Sequence, residues 1–232
     1  MKEVKLFIDG REIIAPEGEK ILWAALDNGI YIPHLCAVRK REPPFGACRL
    51  CLVEVEGRGQ PVAACVEPVA EGMRVYTDTP RLRELRAMAF ELILSHHLLD
   101  CRSCPKSGEC ALQEIARRLG FKLKLSFLPP IPRELEPDES HPLIGHDPRR
   151  CVLCGRCVWA CEHFGAGVLE FAFRGIEMRV STFFNTPLGR SECNSCLYCV
   201  AACPVGGFYL KRDAPPEARE KVKRIREELF EG

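Results

Sequence analysis

Fifteen cysteines in 232 residues are the side chains of this sequence best suited to chemistry, and they fall into three groups. The first is Cys36, Cys48, Cys51 and Cys65; the second is Cys101, Cys104 and Cys110. The third is a pair of runs in which Cys151, Cys154, Cys157 and Cys161 recur 42 residues later as Cys193, Cys196, Cys199 and Cys203. Thiolates are soft ligands that select zinc or iron–sulfur clusters. An odd count cannot close as a disulfide framework, and the start MKEVKLFIDG has no cationic stretch followed by an apolar one. The expectation is therefore a cytoplasmic chain whose thiols stay reduced and serve as metal ligands.

Each run has the spacing C-x2-C-x2-C-x3-C, and Pro204 follows the last cysteine, a pattern that resembles bacterial-type ferredoxins holding two [4Fe-4S] cubanes. The resemblance implies that Cys151, Cys154, Cys157 and Cys203 hold one cubane, and Cys161, Cys193, Cys196 and Cys199 the other. Each copy thus lends its fourth ligand to its twin. Zinc ribbons use paired C-x2-C knuckles rather than triplets, which argues against zinc here. Glu162 stands after Cys161 where many ferredoxins have proline, which weakens the helix start but not the ligand count. The first group is spaced x11, x2, x13, against x4, x2 and a distant fourth cysteine in plant-type [2Fe-2S] ferredoxins. Its first loop is longer, and Gly46 and Ala47 are small enough to let backbone amides approach sulfide. A [2Fe-2S] cluster on Cys36, Cys48, Cys51 and Cys65 is expected, with zinc as the alternative. The second group lacks a fourth ligand, and His96, His97 and Asp100 lie within reach. By position on a helix, His96 falls in the middle of an apolar stripe and His97 at its edge, so each alone reads as a packing histidine.

The elements that must position these groups are legible in outline. Val4, Leu6 and Ile8 alternate with Glu3, Lys5 and Phe7, Asp9-Gly10 predicts a type I′ turn, and Glu12 to Ala15 predicts the returning strand. A helix over 19–27 stops at Asn28-Gly29, and strands are predicted over 51–56, 62–66 and 73–77. Hairpin, helix, then further strands is a β-grasp order. Thr79-Pro80 opens a long helix with Leu82, Leu85, Ala89, Leu92 and Ile93 as its stripe, and a shorter helix over 111–119 ends at Gly120. Residues 121–148 hold six of the 18 prolines and predict an extended linker, on which Leu123, Leu125, Phe127, Leu128 and Ile131 could dock on a neighbour. A hairpin, 168–173 with 176–183, is inserted between the cysteine runs. The final helix, 215–230, carries Ala218, Val222, Ile225 and Leu229 as a stripe for its own domain or, alternatively, for a partner. The fold class is α+β: a β-grasp [2Fe-2S] domain over 1–78, a small helical [4Fe-4S] segment over 79–120, a linker over 121–148, a two-[4Fe-4S] ferredoxin-like domain over 149–212, and a charged helix over 213–232.

This succession resembles the N-terminal region of the large iron–sulfur subunit of complex I, the diaphorase iron–sulfur subunit of NAD(P)-linked hydrogenases, and the matching regions of NAD-linked formate dehydrogenases and iron-only hydrogenases. His97-x3-Cys101-x2-Cys104-x5-Cys110 and the stretch Asp147-Pro148-Arg149-Arg150-Cys151 carry the resemblance, which covers residues 1–212. Trp159 departs from it where a basic residue is expected. The resemblance implies that His97 is the fourth ligand beside Cys101, Cys104 and Cys110, and that His96 packs. It also implies one [2Fe-2S] and three [4Fe-4S] clusters relaying single electrons between a flavin/NAD(P) subunit and a hydrogenase module, of the [NiFe] type in the short members. The alternatives are the same relay in a complex I-like or formate dehydrogenase complex, or a free polyferredoxin. No G-x-G-x-x-G or Walker A run is present, so no catalytic site of the chain's own is expected. With 33 basic and 32 acidic residues the formal charge is +1, which gives no footprint for nucleic acid. The apolar run 21–26 is far shorter than the roughly 20 residues of a membrane span. His34, His141, His146 and His163 have no ligand spacing.

Overall fold

The structure, a computed structural model, describes residues 2–230 and divides into two compact units, one running to Leu92 and the other starting at Ile93. In the first unit, β1 (Glu3–Ile8) and β2 (Arg11–Pro16) form an antiparallel hairpin in which Leu6 faces Ile13. Both turn residues are left-handed, Asp9 at φ 50 and Gly10 at φ 79, as a type I′ turn requires. α1 (Ile21–Asp27) follows, then β3 (Leu52–Val55), β4 (Val62–Ala63) and β5 (Arg74–Tyr76). The sheet order is β2-β1-β5-β3-β4, with β1 parallel to β5 and the other pairings antiparallel. Val4, Leu6, Ile8, Ile21, Leu22 and Val53 meet in one core at 1% exposure or less. Burying each stabilises by about 1.5–3 kcal/mol. Cys51 and Cys65 belong to the same core, so the first cysteine group is anchored in the sheet's own packing.

Two boundaries differ from the sequence reading for reasons visible in the backbone. α1 starts at Ile21 rather than residue 19, because the Glu19 carbonyl accepts the Val69 N–H and Lys20 bridges Pro68. β4 stops at Ala63, because the N–H groups of Val66 and Glu67 both turn back to the Ala63 carbonyl. α2 (Pro80–Ser95) is capped by the Thr79 hydroxyl, which accepts from the Leu82 N–H at 3.2 Å. Its expected stripe is misplaced. The buried α2 positions in the first unit are Leu82, Arg86, Phe90 and Glu91, whereas Leu92 is 53% exposed. The displaced face belongs to Arg86, which reads as polar in sequence but spends its donors on buried carbonyls.

In the second unit, α3 (Ala111–Leu119) ends at left-handed Gly120. The segment predicted as a linker instead supplies β6 (Ile144–His146), which pairs antiparallel with a strand formed by residues 208–210. Asp138 and His146 also exchange backbone hydrogen bonds at 2.8 and 3.0 Å. Proline-rich chain cannot form helix, yet where its N–H groups survive it can still pair along an edge. α4 (Arg156–Phe164) precedes the inserted hairpin β7 (Leu169–Ala172) and β8 (Arg179–Thr182), followed by α5 (Tyr198–Ala202), β9 (Phe208–Leu210) and α6 (Pro216–Phe230). Ala218, Val222, Ile225 and Leu229 are all buried and α6 packs on α5, so this stripe serves its own unit rather than a docking partner. Among the described residues no helix is long and apolar enough to cross a membrane.

Candidate metal centres

The first cysteine group comes together as two pairs. The Cys48 N–H donates to Cys36 Sγ at 3.5 Å. The Cys36 thiol holds the Cys48 group down to about 6 against the opposing effect of burial, and the same contact pushes Cys36 up. Cys51 and Cys65 repeat the pattern, Cys65 lowered and Cys51 raised by their mutual hydrogen bond. Four thiols crowded so that each pair shares protons are matched to a cation that replaces those protons, and two thiolates per iron is the requirement of a [2Fe-2S] rhomb. Backbone N–H groups of Ala47, Leu50 and Gly46 point at Cys36, Cys48 and Cys65 respectively. Such donors stabilise the negative charge of bound thiolates.

The two cysteine runs share one backbone shape. Leu153 (φ 52) and Gly155 (φ 78) are left-handed in the first, and Ser195 (φ 57) and Leu197 (φ 71) occupy the same positions of the second. These reversals curl the loop so that its sulfurs converge, and the third cysteine of each run then enters α4 or α5. Burial pushes Cys154 up to about 12, and Cys203 and Cys151 are the neighbouring thiols that add to it. Cys157 is raised by burial and by Cys151, Cys154, Cys203 and, last, Cys199. In the other set, burial raises Cys193 and Cys199, and both are acted on by Cys161 and Cys196. Each fourth thiol therefore acts on thiols of the opposite copy's triplet, and Cys157 with Cys199 and Cys199 with Cys203 also act across the two sets. The copies approach closely: a Cβ on Gly165, just past α4, would lie 2.9 Å from Cys196 Sγ. N–H groups again face sulfur, Leu153 to Cys151 at 3.4 Å and Phe208 to Cys203 at 3.4 Å.

Cys101, Cys104 and Cys110 lie together, with burial raising Cys110 and the other two thiols adding to it. Of the three candidates for a fourth ligand, Asp100 is exposed and its carboxylate accepts from the Ser103 N–H and hydroxyl. His96 is lowered by burial and lines a cavity of about 450 Å³ with Ile131, Arg133, Phe173 and Ile176. His97 is different. Its Nδ1 is buried with no hydrogen-bond partner, the Arg150 backbone lies close enough to act on the ring, and burial with the Arg150 charge brings it down to about 4. A neutral imidazole with an orphaned buried nitrogen fits a metal ligand. His146 Nε2 is also orphaned, but that ring stacks flat on Phe208, centroids 4.2 Å apart.

Several residues that hold the loops carry no ligand signature in sequence. Arg86 donates from Nε to the Leu50 carbonyl at 3.1 Å and from Nη2 to the Leu52 carbonyl at 2.6 Å, bracketing Cys51. His141 accepts the N–H groups of Leu143 and Ile144 at Nδ1 and meets the Ser195 hydroxyl, inside the second run, at 3.1 Å. Arg133 donates to the Cys151 carbonyl at 2.6 Å. Asp147 bonds the Arg149 N–H and both guanidiniums of Arg149 and Arg150 at the threshold of the first run.

Residues 1–80 match a family described as a 2Fe-2S iron-sulfur cluster binding domain, and residues 86–123 match the NADH-ubiquinone oxidoreductase-G iron-sulfur binding region. A chain in a structure of NAD+-reducing [NiFe]-hydrogenase in the H2-reduced state superposes with a TM-score of 0.83 at 33% identity, covering 92% of this chain and 89% of that one. The chain belongs to the iron–sulfur electron-transfer subunits of NAD(P)-linked hydrogenases and complex I-like enzymes. Among curated members of this family, the NADPH-Fe(3+) oxidoreductase subunit alpha of Geobacter sulfurreducens is 40% identical over 209 residues, 90% of this chain and 24% of that protein. NADP-reducing hydrogenase subunit HndD of Solidesulfovibrio fructosivorans is 36% identical over 213 residues, again 90% of this chain and 36% of the relative. The chain thus spans about a quarter to a third of the length of these curated family members.

Proposed function

We propose that the chain relays single electrons through one [2Fe-2S] and three [4Fe-4S] clusters, between a flavin/NAD(P)-binding subunit and a [NiFe] hydrogenase module. Cys36, Cys48, Cys51 and Cys65 hold the [2Fe-2S] cluster; His97, Cys101, Cys104 and Cys110 hold one cubane. Cys151, Cys154, Cys157 and Cys203 hold a second, and Cys161, Cys193, Cys196 and Cys199 a third. What supports this reading is the mutual influence of the thiols within each group, together with a buried His97 Nδ1 that has no hydrogen-bond partner four residues before the group that is one thiol short. Bound there, the clusters supply one-electron oxidation and reduction without proton transfer. The chain's own part is to fix the ligands on rigid loops, exclude water from them and aim N–H groups at sulfur. Likeness to a chain of an NAD+-reducing [NiFe]-hydrogenase supports the choice of partners, and the cytoplasm is the compartment in which the thiols would remain reduced.

The relative named as an NADPH-Fe(3+) oxidoreductase favours a second reading, in which the same relay serves an acceptor other than hydrogenase. Iron and acid-labile sulfide analysis of anaerobically purified protein tests the cluster set, with about fourteen irons per chain expected. A value near eight removes the first two groups, and colourless, zinc-containing protein removes the whole reading. The identity of the co-purifying subunits separates the two partner assignments, and a monomer with none of them leaves a free carrier.

A further inference from the structure

We infer that Arg150 sets the potential of the cubane on His97, Cys101, Cys104 and Cys110 and holds that site in register with the one on Cys151 and Cys203. The inference rests on the cluster assignment proposed above. Arg150 is 5% exposed and immediately precedes Cys151. Its guanidinium is used in three directions: Nη1 donates to the Asp100 carbonyl at 2.9 Å, Nη2 to the Ser103 hydroxyl at 2.9 Å, and Nε to Asp147 Oδ2 at 3.2 Å. The first two partners flank Cys101. Its backbone lies beside the His97 ring, and the neighbouring Arg149 carbonyl accepts the Leu98 N–H at 2.9 Å. Gly206 closes the remaining side, where a Cβ would lie 2.7 Å from Cys104 Sγ and 3.1 Å from Arg150 Cδ. Arg150 therefore bonds the Cys101–Cys104 turn by its side chain and is joined to Cys151 by the peptide bond, while the residue before it holds the backbone next to His97.

The charge arithmetic gives the sign of the effect. Asp147 is the carboxylate that meets both Arg149 and Arg150, so two guanidiniums share one counter-charge and a net positive charge remains beside the site. Reduction adds a negative charge, which a nearby buried cation stabilises more than water-screened charges do. Arg150 makes it easier to place an electron on the histidine-ligated site than on one lacking this cation. Arg150 is a positioning residue: it acts on the site through His97, the Cys101 turn and the local field.

The test is an EPR-monitored redox titration of full-length holoprotein in its purified complex, comparing wild type with Arg150→Gln, Arg150→Lys and Asp147→Asn, with iron and sulfide measured on each sample. Arg150→Gln is expected to lower the midpoint of one cubane by at least a tenfold change in its oxidised-to-reduced ratio, about 59 mV for one electron. Arg150→Lys is expected to stay within threefold of wild type, and Asp147→Asn, which removes the counter-charge, to shift the same midpoint upward. An unmoved midpoint in fully loaded Arg150→Gln, or a shift in Arg150→Lys as large as in Arg150→Gln, overturns the inference. Should Arg150→Gln fail to load iron, the sign of the Asp147→Asn shift decides: upward supports, absent or downward overturns. A wild type well short of about fourteen irons instead removes the cluster assignment, which is a separate failure.

Discussion

Arg86 offers a direct measure of how firmly α2 holds the first cysteine group. Its guanidinium is 3% exposed and gives one hydrogen bond to each carbonyl flanking Cys51, at 3.1 and 2.6 Å. Arg86→Met keeps the buried stem and removes both donors. Losing a hydrogen bond to a buried carbonyl costs about 1–3 kcal/mol, so two cost about 2–6 kcal/mol. The methionine's apolar end and the relief of burying a cation offset part of this, leaving about 2–3 kcal/mol. For a unit of this size that corresponds to roughly 10–20 °C in midpoint. The assay is loss of visible circular dichroism from the [2Fe-2S] chromophore on anaerobic heating at one scan rate, with the cubane EPR signals followed in parallel. Arg86→Lys retains the charge and one donor and should fall between the two. A midpoint for Arg86→Met within about 2 °C of wild type, a difference below about 0.5 kcal/mol, would refute the claim that this clamp matters. Loss of the cubane signals before the [2Fe-2S] signal would show that the clamp lies elsewhere.

Three further outcomes are expected. His97→Cys should keep about fourteen irons and lower the midpoint of one EPR-resolved cubane, since a thiolate makes the oxidised site more negative than a neutral imidazole does; the same shift from His96→Cys alone would reassign the ligand. Leu229, 1% exposed on α6, should cost about 2–5 kcal/mol as Leu229→Ala, read by denaturant unfolding, while co-purification of partner subunits is unchanged. His146 is held down to about 4 by burial, whereas in the unfolded chain it takes up a proton near its ordinary value of 6.5. Its contribution to stability is therefore complete above about pH 6.5 and declines as pH falls toward 4, by up to about 3 kcal/mol. His146→Gln should flatten the measured stability between about pH 6.5 and 5 relative to wild type.

What the sequence reveals here divides by range. The ferredoxin-like runs are readable because three ligands fall within seven residues and the loop that aims them is local; the repeated left-handed positions at 153, 155, 195 and 197 are that same locality in backbone terms. The hairpin turn at Asp9-Gly10 and the cap at Thr79 are readable for the same reason. His97 lies at the limit: helical position alone did not separate it from His96, and what distinguishes it, an orphaned nitrogen and the Arg150 backbone, comes from a residue 53 positions away. The long-range roles of Arg86, His141 and Arg150 are not legible in sequence because the partners that tie them to the cysteine loops lie 34 to 54 residues off, and arginine in a helix reads as surface. The misplaced stripe on α2 has the same origin. The proline-rich stretch misled in the other direction, since composition predicts an extended chain but not that Ile144 to His146 finds an edge strand.

The crossing of cysteines between the two runs has a consequence for the integrity of the chain. In the proposed assignment Cys157 and Cys161 leave a single helix for opposite groups, and Cys199 and Cys203 do the same around α5, while the hairpin between the runs exposes Phe173 at 55% and Ile176 at 63%. A protease cutting there would give two fragments, neither of which owns a complete set of ligands for either of these two proposed cubanes. With those cubanes in place, each fragment would hold three ligands of one and the last ligand of the other, so a nicked protein would be joined through iron as well as through the pairing of β6 with β9. In this part of the molecule the metal would be a second closure, and a chelator would leave that strand pairing and the packing of α4 on α5.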